Sequence, residues 1–564
     1  MSPFPLSPVT SRLPHPAAPW WKRQAELAIL AGYLTLTLLY GLLGHLSDMA
    51  NRVVPVDSAG YYMYLPALFF QGNLDFSNEL QKYYGPEHTN ALTPTGRHGN
   101  AYSIGPAIFW APFFLLAHLC TLLANAAGFH LTLDGHSSLY SLFVYIGNSL
   151  YGLLGFLFLV RLVMRFVAER IAIVSTLAMM LTSQMTYYLW SDTAMAHNTA
   201  FFATTLFLFA FLRFGASPWT GLAAAAVFLT RWQAILYLTP ILVQAASQAP
   251  ATFRQPWPHV VVWARRYIGF LGVFFLGISP QLLTWNYLYG HYFTVPHGAG
   301  FITLEQFHLY DILVSLHRGI FIWHPLLALA LLGLPWLWKK DRTLTIATCL
   351  AIALQLSFLS FVSCWWAGWS FGQRFFIEAL PMLTICLAAL LEGLWNKRFL
   401  RGAVLVGLGA LAVWNQLFIY QYSYGLIPRG RAVTSEQFFG DKFRLIERTK
   451  SKRDLKRALA AFKNDDHAAF YRFALLAYAL NAREERTAFI TGFASLLAGD
   501  SATAQECFLF LSKAFPVETI YAEGLSKAYS LQDCVANSRE PCRETMDKIF
   551  FQRMQYTMNE LVNG

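Results

Sequence analysis

The sequence predicts an all-α protein: a polytopic membrane helix bundle of about eleven spans, followed by a helical extracytoplasmic domain. Three observations lead there. The 564 residues are 56% hydrophobic and only 13% charged, whereas soluble domains carry roughly 25% charged residues. Many apolar runs reach the ~20 residues that cross a bilayer as a helix. They are continuously apolar, without the alternation of a barrel strand. Beyond residue 425 the apolar runs give way to more polar sequence in which apolar residues recur at helical spacing. The net charge of +11 lies mostly in short basic clusters between apolar runs, the pattern that orients a membrane protein. No motif for reading bases accompanies it, so nucleic acid is not an expected partner.

Residues 1–24 are proline-rich, carry WWKR near their end and read as a cytoplasmic tail. The first run, 25–46, lacks a small-residue cleavage signature and is expected to stay as a span. A first outer loop, 47–137, follows. Its first part is polar and turn-rich (QGN, GPE, PTGRHGN), and IGPAIFWAPFFLLAHLCTLLANAAG, 104–128, is apolar with Pro106 and Pro112 in its first turns. If that segment crosses, Arg161, Arg165, Arg170 and Arg213 face outside. If it lies along the interface or re-enters, every strong basic cluster faces the cytoplasm, and the positive-inside rule selects this arrangement. The remaining spans are then about 138–160, 171–190, 194–213, 217–231, 232–248, 267–288, 319–338, 343–364, 375–395 and 402–423. The pair meeting at Arg231 could also be one long helix with a buried arginine, which is costly unless paired.

The transmembrane module thus covers 25–425. Residues 426–564 read as stacked helical hairpins without a fixed repeat: DLKRALAAFKN, AAFYRFALLAYALN, RTAFITGFASLLAG, ATAQECFLFLSKAF and RETMDKIFFQRMQYTMNEL. Cys120, Cys349, Cys364 and Cys386 lie in or beside apolar runs as small core residues. In an extracytoplasmic domain a Cys534–Cys542 disulfide is permitted, two free thiols being the alternative.

Under this topology a restricted polar set reaches the outer helix ends. Asp57 lies in VPVDSAGYYMYLP, just past the first span, where Gly60 permits a tight turn and Tyr61, Tyr62 and Tyr64 suit an interface. Asp192 and His197 share the turn SDTAMAHN. Arg231 ends the fifth span, Arg318 and His324 stand in LHRGIFIWHP, and Trp369 and Arg374 in WWAGWSFGQRFF. Tryptophan clusters at an interface are usually anchors, but an arginine at membrane depth normally has a partner or a task. A guanidinium binds phosphate oxygens and keeps its charge, and a carboxylate can take a proton from an attacking hydroxyl. Together they suit group transfer from a lipid-linked phosphate. No HxxxH or HExxH spacing is present, so no built-in zinc site is expected, and P-loop and serine-nucleophile signatures are lacking.

VDSAGYYMYLP after the first helix, the proline-interrupted IGPAIFWAPFF, SDTAMAH, VFLTRWQ and GQRFFIEALPML occur in an order that resembles the GT-C class of polytopic glycosyltransferases. The nearest branch is that of protein mannosyltransferases and lipid A aminoarabinose transferases, over about residues 25–400. The resemblance implies a polyprenyl-phosphate sugar donor, with Asp57 as the first-loop acid acting as general base or helping to place a divalent ion. It implies Asp192 as the second-turn acid, and Arg231 and Arg374 as outward basic positions. The family's paired first-loop acids are missing, since Ser58 follows Asp57. The resemblance thus leaves open whether a divalent cation, magnesium or manganese, serves as cofactor. The expected activity is sugar transfer to a lipid, glycan or protein acceptor on the outer face of a bacterial-type inner membrane, with Asp57 as base, Arg231 and Arg374 on the phosphate, and Asp192, His197, Arg318, Tyr61, Tyr62 and Trp369 binding substrate. The alternative is a transporter or flippase of lipid-linked sugars, which would carry broken helices near the midplane.

Overall fold

The computed structural model describes residues 24–42, 56–85, 92–428, 433–482, 484–514 and 519–536. Among them the fold is all-α, with two isolated bridges, Leu92 to His98 and Ile302 to Val362, and no sheet. The chain divides into two compact units, Met1–Gln416 and Leu417–Gly564.

In the first unit the helices are α1 (Gln24–Leu42), α2 (Val56–Tyr62), α3 (Ser77–Tyr84), α4 (Gly105–Ala126), α5 (Ser138–Val163), α6 (Glu169–Thr182), α7 (Met185–Trp190), α8 (His197–Phe214), α9 (Pro218–Thr230), α10 (Thr239–Thr252) and α11 (Trp257–Tyr289). After a loop come α12 (Leu309–Val314), α13 (Ile320–Trp323), α14 (Pro325–Leu331), α15 (Leu334–Lys340), α16 (Arg342–Ser360), α17 (Leu380–Trp395) and α18 (Arg398–Ser423). Local chemistry sets the boundaries. Ser217 caps α9 through the Thr220 amide with Pro218 in the first turn, Asp341 caps α16 through the Leu344 amide, and α11 stops at left-handed Gly290. Close helix approach rests on missing side chains, as expected where lipid offers no hydrophobic drive. A Cβ at Gly333 would stand 1.8 Å from the Cys386 carbonyl oxygen, and one at Gly221 2.3 Å from that of Phe270. α17 is buried on nearly every side at the centre of the bundle.

Among the described residues six helical stretches are long and apolar enough to cross a membrane: α4, α5, α11, α16, α17 with the turn before it, and α18. The expectation of about eleven spans therefore needs correction. The interval 171–190 is divided between α6 and α7, and 319–338 among α13, α14 and α15. The apolar content of a segment does not register the breaks made by Ser183, Pro325, Gly333 and Pro335. At Arg231 the backbone is extended and a 3₁₀ turn, Trp232–Leu238, follows. A side chain at Gly215, just past the end of α8, would meet Gln244 of α10, so α9 and α10 form a hairpin turning at Arg231. A single long helix with a buried arginine is ruled out.

One end of the bundle holds Arg161 and Lys340. Arg161 in the last turn of α5 bonds Glu26 in the first turn of α1 at 2.8 Å. The Ala25 amide donates to Glu169, and Lys340 reaches the Phe166 carbonyl and Glu392. The opposite end carries Asp57, the turn at 191–196, Arg231 and Arg374. The segment expected to be interfacial or re-entrant is one continuous helix of 22 residues, α4, and by length and composition it could cross a membrane. It begins at the Asp57 end, where Gly105 lies against Leu229 and Trp110 donates to Thr199. Its ring and hydrogen-bond contacts run along α5 from Tyr151 back to Tyr140, away from Arg161.

The second unit contains α19 (Leu445–Lys463), α20 (His467–Asn481), α21 (Glu485–Ala498), α22 (Ser501–Ala514) and α23 (Thr519–Ala536). Each packs on the next through a seam of aromatics and alanines, among them Ala458, Phe470, Ala474, Phe489, Phe493 and Phe508. The expected hairpins are present, with α23 in addition to them. RETMDKIFFQRMQYTMNEL and the Cys534–Cys542 pairing lie outside the described residues and side chains. The division between the two units falls inside α18. Phe418 packs on Phe438 at 4.6 Å and lies under the Lys442 ammonium, which ties the last turns of that helix to the second unit.

Candidate functional site

Asp57 stands in the first turn of α2. Asn100 fixes this helix from the side, its amide donating to the Gly60 carbonyl and its oxygen accepting from the Tyr102 amide. Tyr102 then places its ring against Gly60, where a Cβ would fall 1.8 Å from the ring, and donates its hydroxyl to Asp57 at 2.9 Å. Gly60 is helical. Its lack of a side chain serves the close approach of Tyr102, not the tight turn expected from sequence. His297, whose ring stacks on Phe301, stands 6.3 Å from the Tyr102 ring.

Arg374 reaches the same place from the far end of the sequence. The loop before it turns through left-handed Ala367, Gly368 and Gly372. Gly372 is needed twice, for its φ of 62° and because a Cβ there would stand 2.2 Å from the His324 ring nitrogen. Gln373 donates to the Trp365 carbonyl, Gln184 to that of Gln373 and Gln355 to that of Phe375. So held, the Arg374 guanidinium meets the Asp57 carboxylate at 2.6 Å. Burial pushes the Asp57 carboxyl up. The charge and hydrogen bond of Arg374, the Tyr102 hydroxyl and more weakly His297 outweigh it and hold the group below its ordinary value. Burial and the adjacent carboxylate push the Tyr102 hydroxyl well up, so it keeps its proton and donates.

A second ion pair lies beside the first. Arg231, at the break after α9, bonds Glu378 at 2.7 Å, with side chains 4% and 2% exposed. The Arg231 guanidinium also lies 5.3 Å from the centre of the Phe375 ring. The Asp57–Arg374 pair is more open, at 32% and 14%, so it is the pair a ligand can reach. Tyr61 is buried within the field of both pairs. His197 opens α8 with neither ring nitrogen hydrogen-bonded and its ring 4.4 Å from that of Tyr188. Asn148 of α5 holds the turn before it, donating to the carbonyls of Thr193 and Met195.

Of the residues singled out in the sequence, Asp57, Arg374, Arg231, Tyr61 and His197 come together. Asp192 is half-buried in the turn, its amide donating to the Tyr187 carbonyl. Tyr62 points into the core, with its hydroxyl on the Gly135 carbonyl and its ring against Phe114; no face is left for stacking on a substrate. Arg318 is fully buried at φ 79° with its guanidinium 4.5 Å from the Trp323 ring. Trp369 is 58% exposed. Trp365 and Trp366 pack against each other and against His317, which an anchoring role would not require.

Sequence reasoning misses Glu378 and Tyr102. A lone glutamate inside the apolar run 375–395 is a signal, because a carboxylate there needs a partner. Tyr102 carries none, since its meeting with Asp57 is purely tertiary. Among the described residues no group of three histidine, cysteine or acidic side chains could hold a metal ion. The arrangement offers an ionised carboxylate, a guanidinium beside it and a closed second ion pair behind. Set against family models, curated proteins and solved structures, the chain matches none.

Proposed function

We propose that this chain is a membrane glycosyltransferase of the GT-C type, moving a sugar from a polyprenyl phosphate to an acceptor hydroxyl at the extracytoplasmic face. The observation that carries the reading is the partly open Asp57–Arg374 pair beside Arg231, at the bundle end opposite Arg161 and Lys340. That placement, read with the positive-inside rule, supports an outer-side location for the group.

In the proposed step the donor phosphate engages Arg374, which weakens that residue's hold on Asp57 and makes the carboxylate a better base. Asp57 takes the acceptor hydroxyl proton, the acceptor oxygen bonds to the anomeric carbon, and the bond from that carbon to the phosphate oxygen breaks. The electron pair stays on the phosphate, whose charge the guanidinium stabilises. Asp57 is the carboxylate a divalent cation would use, and the Arg374 guanidinium already occupies one of its oxygens.

The breaks at Arg231 and through α13–α15 also suit a transporter of lipid-linked sugars, since such proteins bind substrate at interrupted helices. One experiment separates the two. Purified protein in liposomes with a polyprenyl-phosphate sugar and a hydroxyl-bearing lipid or glycan acceptor is assayed for free polyprenyl phosphate. Transfer releases it, and Asp57→Asn lowers release by about 100-fold or more while the variant still inserts. Movement of intact donor across the bilayer without release would establish the transporter instead.

A further inference from the structure

At the start of the second unit the usual burial pattern is inverted. Asp441, Lys442 and Arg448 are 6%, 5% and 7% exposed, whereas Phe443 and Ile446 are 85% and 87% exposed. This is not fraying. Arg448 bonds Asp441 at 2.7 Å and reaches the Leu480 carbonyl, while Lys442 donates to the Phe438 carbonyl over the Phe418 and Phe438 rings. The inward charges clamp the turn, and the clamp holds the two apolar side chains outward.

Cations continue the same face of α19. Counting from Ile446, the exposed residues Lys450, Arg453 and Arg457 follow at helical intervals. Glu447 flanks them as an exposed acid, and the acid next to Arg457, Asp454, is itself buried. Two projecting apolar side chains leading into a row of cations is the composition of a helix lying in a headgroup layer.

We propose that this face, from Phe443 to Arg457, binds an anionic phospholipid surface, with Phe443 and Ile446 seated among the acyl chains and Lys450, Arg453 and Arg457 on lipid phosphates. Charge complementarity selects the occupant, because a protein groove would bury the apolar pair without needing the row of cations. The chain also enters this unit directly from α18, an apolar helix able to cross a membrane, so a bilayer is within reach. The inference does not depend on the chemistry proposed above.

The test uses the full chain carrying the photoreactive residue p-benzoylphenylalanine at position 443, and separately at 446. The protein is placed in nanodiscs of phosphatidylcholine with or without about 30% phosphatidylglycerol. Irradiation is expected to give phospholipid adducts at both positions, several-fold more with the anionic lipid. Lys450→Glu and Arg453→Glu, both exposed, should each lower the yield about fivefold. Adducts on protein instead of lipid would show the face to be a contact with a second copy or another chain. A lipid yield indifferent to phosphatidylglycerol and to the charge reversals, or no adduct at all, would equally overturn the proposal.

Discussion

Glu378→Gln isolates the closed ion pair. The substitution keeps the shape of the side chain and removes its charge, leaving the Arg231 guanidinium 4% exposed with its carboxylate gone. Arginine cannot shed its proton to escape, so the uncompensated buried charge is expected to cost about 3–5 kcal/mol. Arg231→Met should cost less, because the glutamate left behind can take up a proton. The double variant Arg231→Met/Glu378→Leu removes both charges and should return close to the parent, as replacing a whole buried pair often does. Reversible unfolding in mixed detergent micelles gives the four free energies of the cycle, with an expected interaction term of at least about 2 kcal/mol. If Glu378→Gln costs under about 1 kcal/mol, or if the two single effects simply add, the pair is not a closed unit. The stable double variant also serves the functional question. If Arg231 helps to hold the donor phosphate, that variant stays folded and loses transfer.

The pH dependence of stability follows from Asp57. Its native carboxyl lies below the ordinary range, so the stabilisation is present at neutral pH and is lost as pH falls below about 4. Arg374→Gln leaves burial as the dominant influence and lifts that carboxyl, so stability should instead decline as pH rises from about 4 to 6; an unchanged profile would remove Arg374 as the cause. Gly60→Ala drives a methyl into the Tyr102 ring and should cost about 1–3 kcal/mol with reduced transfer, whereas Tyr102→Phe keeps the packing and loses only the hydrogen bond to Asp57. In the second unit burial pulls the Lys442 ammonium down to about 7, against some support from Asp441. The native state then loses the proton near 7 and the unfolded chain at about 10.4, so stability of this unit should rise with pH between those values and the slope should vanish in Lys442→Met. Chemical denaturation followed by hydrogen exchange reads that slope locally.

The sequence carried the class of the fold, since continuous apolar runs followed by polar helical periodicity leave little besides a helix bundle and a helical domain. Its short basic runs set an expected sidedness, and the structure brings Arg161 of α5 and Lys340 of α15 to the end of the bundle where Glu26 of α1 and the Phe166 carbonyl receive them. The sequence did not carry the number of spans. Apolarity accumulates across a break, and only packing shows that 171–190 and 319–338 are divided. In α4 the two prolines of its first turns read in sequence as an interruption, yet the helix is continuous. Pro106 sits where a helix has no amide to lose, and Pro112 is accommodated within the continuous helix.

The candidate site was legible as residue types and not as pairs. Asp57, Arg231 and Arg374 could be picked out because a charge beside apolar sequence needs a reason. Which charge answers which was decided by folding: Arg374 turned to Asp57 and Arg231 to Glu378. Tyr62 shows the limit most plainly. Beside Tyr61 it is indistinguishable in sequence, yet the turn of α2 leaves Tyr61 in the field of both ion pairs and sends Tyr62 to Gly135 in the core. Local sequence fixes which groups exist and at what depth they are tolerated. Their partners depend on how helices hundreds of residues apart come to share one end of the bundle, and that is set by packing across the whole chain.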